Sequence, residues 1–154
     1  MKISSTSFTD GDVLDARFAH DAVPGGQNLI PQLSWENPPR GTKSFALTCY
    51  DPDAPTGSGY WHLISWDIPL DVLSIEEGAA LPEGAHTTAN DYGFEGYGGP
   101  NPPTGPAHRY IFTVYAMADE TLGLPDGLTS ANTRFNIVTR AIDSTSIMGW
   151  FAQP

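Results

Sequence analysis

The segment from Phe45 to Pro69, FALTCYDPDAPTGSGYWHLISWDIP, sets two apolar runs on either side of a turn rich in proline and glycine. Phe45 to Tyr50 is apolar or β-branched almost throughout, the pattern of a strand buried on both faces. Tyr60 to Pro69 reads as a second strand, and Pro69 ends it. Strict alternation puts His62, Ile64, Trp66 and Ile68 on one face and Trp61, Leu63, Ser65 and Asp67 on the other. A third strand follows at RYIFTVYAM, Arg109 to Met117, with Tyr110, Phe112, Val114 and Ala116 alternating against Ile111, Thr113, Tyr115 and Met117. Both of its faces are largely apolar, so it is central too.

Outward from these strands the chain is turn-rich. Its 16 Gly and 14 Pro cluster in loops, which favours many short segments and a mainly β protein. NLIPQLSWENPP is extended but broken by proline. Residues 70–90 are small and acidic and read as a long loop with a short turn or strand. DYGFEGYGGPNPPTGPAHR holds too much Gly and Pro for regular structure, yet its aromatic and histidine side chains argue for an ordered, functional loop. Near the C-terminus, Thr129 or Ser130 caps a helix with Ala131, Phe135, Val138 and Ile142 at helical spacing. STSIMGWF reads as a second short helical turn that packs Ile147, Met148 and Trp150. The expectation is one domain over residues 1–154: an antiparallel β core with short C-terminal helices.

Composition narrows the function classes. Seven Lys and Arg against eighteen Asp and Glu leave a formal charge of −11. Nucleic acid and anionic membrane surfaces both need a cationic face, so neither is an expected partner. No amphipathic basic helix or lipidation motif speaks for stable membrane association. No run approaches the roughly 20 apolar residues of a membrane helix. The N-terminal MKISSTSFTDGD lacks the apolar core of a signal peptide, and the cytoplasm is the expected compartment. Cys49, the single cysteine, lies within an apolar strand and reads as a small buried hydrophobe.

Four polar residues stand at the mouths of the strong strands. Asp51 and Asp53 follow the first, His62 opens the second and His108 precedes the third. Singly, each has a plain structural reading: an aspartate before proline caps a turn, and a half-buried histidine bonds a carbonyl. Together, beside rigid loops, they suggest a site. Two histidines and two aspartates could hold a divalent metal for phosphoester hydrolysis, but the Asp-Pro-Asp spacing matches no common zinc signature. Thr56 and Ser58 lack the elbow and base of a nucleophile. No catalytic residue, metal ligand or cofactor is therefore assigned.

DPDAP, the WH that opens the next strand, and GYGGPNPPTGPAHRYIFTVYA resemble the phosphatidylethanolamine-binding protein family, with the bacterial Raf-kinase-inhibitor-like branch as the nearest pattern. The resemblance runs from Ser4 (SSTSFTDGD, IPQLSWENPPRGTKSFAL) to Trp150. It implies a Greek-key-like β-sandwich with a small end pocket for phosphate, phosphoryl headgroups or similar anions. Carried over by motif, Asp51, Asp53, Pro55, His62, Pro103, His108 and Tyr110 form that pocket. The resemblance also implies a cis Ala54–Pro55 bond.

The sequence departs from the family pattern at Asn101, where relatives carry Gly or Cys. Asn tolerates left-handed backbone angles, so a backbone N–H there still serves the anion. Thr139-Arg140 replaces a Gly-His pair, which leaves C-terminal gating open, and Tyr92, Phe94 and Tyr97 are candidates to lid the entrance. In such a pocket Asp51 or Asp53 orients His62 or His108 through one ring nitrogen and favours the imidazolium. The other ring N–H then faces the anion beside backbone N–H groups and the Tyr110 hydroxyl. The alternative is an inhibitor-like protein that docks a kinase, a protease or another unidentified partner through the loop EGYGGPNPPTGP. Homodimers are common among such relatives, and aromatics near Trp61 or Trp66 would supply an apolar contact.

Overall fold

The computed structural model describes residues 1–154. Its elements are β1 (Lys2–Ser4), a 3-10 turn (Ala16–Phe18), β2 (Leu33–Glu36), β3 (Ser44–Asp51), β4 (Tyr60–Pro69), β5 (Ser74–Ile75), β6 (His86–Thr87), β7 (His108–Met117), α1 (Ser130–Arg140) and β8 (Ala141–Phe151). They form a three-stranded sheet, β1-β2-β5, and a five-stranded sheet, β6-β4-β3-β7-β8. All strand pairs are antiparallel. From β4 the chain visits the small sheet at β5 and returns at β6. It reaches the far side of β3 only at β7, a Greek-key-like path.

The three strong strands are neighbours at the centre of the large sheet, as their apolar faces require. Between the two sheets lies the main core. Ile3, Leu33 and Trp35 from the small sheet pack against Phe45, Leu47, Leu63, Phe112 and Val114 from the large one, with the Trp35 and Phe45 rings edge-on at 5.6 Å. The opposite face of the large sheet carries a smaller cluster, Ala46, Ile64, Met117 and Leu122, covered by Ile137 of α1.

Three sequence expectations are corrected here. STSIMGWF is strand, not helix: β8 pairs with β7 along its full length, from Met117↔Ala141 to His108↔Phe151. Without β8, the edge of β7 would leave a row of backbone N–H and C=O groups unpaired. Odd-numbered residues of β8 face inward, so Ile147 and Phe151 are buried while Ser144 and Ser146 are exposed. Asp143 and Thr145 sit at inward positions near the margin of the sandwich, and they masked that alternation in the sequence.

The helix exists and starts with the expected cap, the Thr129 side chain accepting the Asn132 N–H. Its buried face, however, is Thr133 and Ile137. Phe135 is 67% exposed, Val138 49% and Ile142 45%, so the apolar row read as core faces outward. Third, β4 does not alternate cleanly. Leu63 and Ile68 enter the main core and Ile64 the small cluster, because the register with β3 shifts at two places.

Candidate functional site

The antiparallel arrangement brings the C-terminal end of β3 and the N-terminal ends of β4 and β7 to one edge of the sheet. Alternation in β3 places Asp51 on the face of Phe45, Leu47 and Cys49, and alternation in β7 places His108 and Tyr110 on the face of Phe112 and Val114. These are the same face.

His62 reaches that face by an irregularity. Cys49 pairs with Leu63 but Tyr50 pairs with Trp61, so His62 is an extra residue opposite the Cys49–Tyr50 step. Such a β-bulge re-aims a side chain. Leu63 stays in the main core, and the His62 ring stands edge-on to the Tyr110 ring at 5.1 Å instead of turning to the opposite face.

A cavity of about 190 Å³ opens where these residues meet, lined by Asp51, Ala54, Pro55, Thr56, Tyr60, His62, Tyr92, Asn101, Pro102, Pro103, His108 and Tyr110. Larger surface grooves, about 690 and 840 Å³, run beside His86 on the molecule. The smaller cavity is the candidate because buried polar groups converge there, the mark of a binding site rather than a surface hollow.

Asp51 is 2% exposed. One carboxylate oxygen accepts the Asp53 backbone N–H at 2.8 Å and the other accepts the His108 Nδ1–H at 2.7 Å. His108 is therefore held in one orientation, with Nε2 left for the cavity. The expected aspartate–histidine pair is this one. Asp53 orients no histidine. It accepts the backbone N–H of Arg109 at 2.9 Å, Nε–H at 3.0 Å and a guanidinium N–H at 2.8 Å. The Arg109 guanidinium lowers the Asp53 pKa to about 2. Asp53 does not line the cavity; it ties the loop after β3 to β7 from outside.

His62, 2% exposed, has no carboxylate partner either. Its Nδ1–H donates to the Gly98 carbonyl at 2.6 Å, and the Gly98 N–H returns a bond to the His62 carbonyl at 2.9 Å. Burial pushes the His62 pKa down, against the smaller opposing effects of the Gly98 carbonyl and the Asp51 charge. The Tyr110 hydroxyl is fully buried and makes no hydrogen bond of good geometry, its contact with the Asp51 carboxylate being a weak one. Its phenol is pushed well up, by burial first and then by the Asp51 charge.

The remaining wall is the loop after β6. Tyr97 donates its hydroxyl to the Phe18 carbonyl at 2.8 Å, and the Gly99 N–H donates to Asn28 at 2.7 Å. A Cβ on Gly99 would collide with the Phe18 carbonyl and the backbone of Ala19 and His20, so only glycine allows this close approach. Of the three candidate lid aromatics, only Tyr92 lines the cavity. It stands edge-on to His62 at 5.5 Å and donates its hydroxyl to the Gly99 carbonyl at 2.6 Å. Phe94 is stacked outside Tyr92, and Tyr97 packs on Phe112 in the core. Tyr60, not singled out from the sequence, completes the aromatic wall at 5.0 Å from Tyr92.

Pro55 and Pro103 border the cavity as expected, but the Ala54–Pro55 bond is trans. Asn101 is at the rim without a positive φ, so the left-handed conformation invoked for it is not needed. Its side-chain oxygen accepts from Gln153 Nε2 at 2.8 Å, and the same nitrogen donates to the Pro102 carbonyl at 2.9 Å. The C-terminal residues thus touch the rim, a contact without a sequence signal. Thr139-Arg140 lies elsewhere, at the end of α1, where Arg140 pairs with Asp119 at 3.2 Å.

Trp61 and Trp66 are half-buried. Trp61 stacks on Tyr50 at 4.0 Å beneath the Arg134 guanidinium at 3.7 Å, and Trp66 stacks on His86 at 5.9 Å. No three His, Cys, Asp or Glu side chains are placed to share a metal ion. No helix is long and apolar enough to cross a membrane.

Comparison with known proteins gives the same pattern over the whole chain. The family model described as phosphatidylethanolamine-binding protein matches residues 4–152. The UPF0098 protein YbhB of Escherichia coli is 41% identical over 158 residues, covering 99% of this chain and 100% of that one. A putative lipoprotein of Mycobacterium tuberculosis, LppC, is 34% identical, covering 98% of this chain and 72% of its own length. The crystal structure of E. coli YbcL, described as a new member of the mammalian PEBP family, superposes with a TM-score of 0.93. It is 34% identical and covers 99% of this chain and 98% of that one.

Proposed function

This chain belongs to the phosphatidylethanolamine-binding protein family, and we propose that its strand-mouth cavity binds a small oxyanion, phosphate or a phosphoryl group. The observation that carries this reading is the buried Asp51–His108 pair beside the Tyr110 hydroxyl, which makes no well-formed hydrogen bond in the protein. In the bound state His108 is the imidazolium. Asp51 takes the Nδ1–H and the Nε2–H meets the anion, a charge-assisted bond about twice as strong as a neutral one. Tyr110 adds a neutral donor and gains the well-formed bond it lacks. The pair is neutral as a whole, but it turns the positive Nε2–H end of the ring toward the anion and keeps the Asp51 charge on the far side, a local donor in a protein of net charge −11.

The same groups support binding without turnover. The Cys49 thiol is buried and pushed well up by desolvation, and the Thr56 hydroxyl is donated to the Gly59 carbonyl, so neither is poised to attack. Calorimetric titration with inorganic phosphate tests the reading. Saturable binding by the wild type and its loss in His108→Ala are expected, and equal affinities would sink it.

A second reading, docking of a protein partner, draws on the outer part of the same loop. Pro103 to Ala107 are exposed while the residues before them are pinned, so the loop presents a rigid surface. Deleting Thr104–Pro106 would leave phosphate binding intact and abolish such docking. The proposed compartment is the cytoplasm; one relative is named a lipoprotein, and cell fractionation separates the two locations.

A further inference from the structure

The two histidines of the cavity use their ring nitrogens alike and yet present opposite faces to a ligand. Each donates its Nδ1–H inward, but His108 donates to a carboxylate and His62 to a neutral backbone carbonyl. The Gly98 carbonyl can only accept, so it fixes the proton of His62 on Nδ1 and leaves Nε2 as a bare lone pair. The hydrogen bond of His62 is made at Nδ1, and the ring borders the cavity. The acceptors around the ring already hold other donors, the Gly99 carbonyl among them, which also lies against the His62 ring. Both Asp51 oxygens hold N–H groups, the Gly99 carbonyl holds the Tyr92 hydroxyl and the Gly98 carbonyl holds His62 itself. The ring is 2% exposed, so an unpaired Nε2 in the complex carries the cost of a buried, unsatisfied acceptor.

We infer that His62 is a specificity-determining residue, an acceptor that selects oxyanions still carrying an acidic proton: hydrogen phosphate in preference to sulfate or a phosphodiester. The inference rests on the anion-binding reading and deepens it. Donors at one side of the cavity (His108 Nε2–H, Tyr110 O–H) take the charged oxygens, and His62 takes the P–O–H. Burial that holds the imidazole below its ordinary pKa keeps the lone pair free.

Near pH 8, hydrogen phosphate and sulfate carry the same double charge and nearly the same tetrahedral shape and differ by one proton. Sites built to bond a ligand hydroxyl discriminate against analogues that lack it by leaving their own group unpaired. Calorimetry of the full chain with inorganic phosphate, sulfate and dimethyl phosphate is the test. Phosphate is expected to bind at least about tenfold more tightly than sulfate. Dimethyl phosphate, which stands for the diester of a lipid headgroup, is expected to be as weak as sulfate.

Sulfate or dimethyl phosphate binding as tightly as phosphate would overturn the inference while the anion pocket stood, as it would if bound charge drove a second proton onto His62. Binding of none of the three would overturn the pocket reading and this inference with it. His62→Phe removes the acceptor, and its phosphate-to-sulfate ratio is expected to fall to about one; retention of the wild-type ratio in the folded variant would also overturn the inference. The wild-type panel decides the question if that variant does not fold.

Discussion

Replacing Asp51 by Asn changes one atom of the carboxylate and tests the proposed source of positive charge. One side-chain oxygen still has to accept the Asp53 N–H, which it does at 2.8 Å in the wild type. The NH₂ of the new amide would then face His108 Nδ1, where an acceptor stood at 2.7 Å. Two donors cannot share that contact, so His108 must shed its Nδ1 proton and keep only the one on Nε2. The cavity retains a donor, but that donor is now neutral, the imidazolium and carboxylate charges having gone together.

A charged hydrogen bond contributes about 1.5–3 kcal/mol net and a neutral one about 0.5–1.5, so the typical difference is about 1 kcal/mol. Losing the imidazolium charge about 4 Å from the anion, at an effective dielectric of about 20, removes about 4 kcal/mol of attraction, but the Asp51 charge about 8 Å away goes with it and removes about 2 kcal/mol of repulsion, so the upper bound is near 2 kcal/mol. The open mouth screens part of that. The expected outcome is a roughly 5- to 30-fold weaker phosphate affinity near pH 7, measured by calorimetry on protein shown to be folded by circular dichroism. A folded Asp51→Asn variant that binds phosphate within twofold of wild type would refute the charge-pair argument.

Tyr110→Phe removes a buried hydroxyl with no well-formed hydrogen bond, so thermal unfolding should shift up by about 2–4 °C for each kcal/mol regained while phosphate affinity falls several-fold. A fall in both would mean that the hydroxyl has a well-formed partner in the free protein. Asp53 has its pKa depressed to about 2 by Arg109. Its contribution to stability is therefore complete above the unfolded value of about 4 and is lost as pH falls toward about 2. Urea unfolding across that window should show a shallower acid loss in Asp53→Asn than in wild type, and parallel curves would argue against it. On α1, Ile137→Ala should cost about 2–5 kcal/mol because the side chain is fully buried. Phe135→Ser, on the exposed side, should stay within about 0.5 kcal/mol of wild type; the reverse order would mean that the helix packs through the other face.

Local periodicity was enough to read part of this molecule. The apolar runs at Phe45–Tyr50 and Arg109–Met117 specify strands, and the Pro/Gly turns bound them. Alternation carried through Cys49 to Asp51, and back through Tyr110 to His108, already sets three site residues on core-facing positions. Side-chain direction along a regular strand depends only on sequence parity. The motifs at DPDAP and GPNPPTGPAHRY point to the same loops that the structure brings together.

What parity cannot see is pairing between distant segments, and the corrections to strands, helix face and site partners fall there. His62 faces the cavity because β4 carries one more residue than β3 at that step, a property of two strands together. Asp53 looked equivalent to Asp51 in DPDAP, but Arg109 stands beside it across the β3–β7 pair and takes it away from the pocket. STSIMGWF became strand because β7 had an edge to satisfy, a demand from a distant segment that outweighed a weak local pattern. The buried face of α1 was chosen by the sheet beneath it: a helix with apolar residues on more than one side has no local reason to prefer either. Residue types, strand faces and the rigid loops were thus determined by the sequence alone. Which histidine gained a carboxylate, and which gained only a carbonyl, was decided by tertiary pairing, because hydrogen-bond partners are set by distance in space rather than by spacing along the chain.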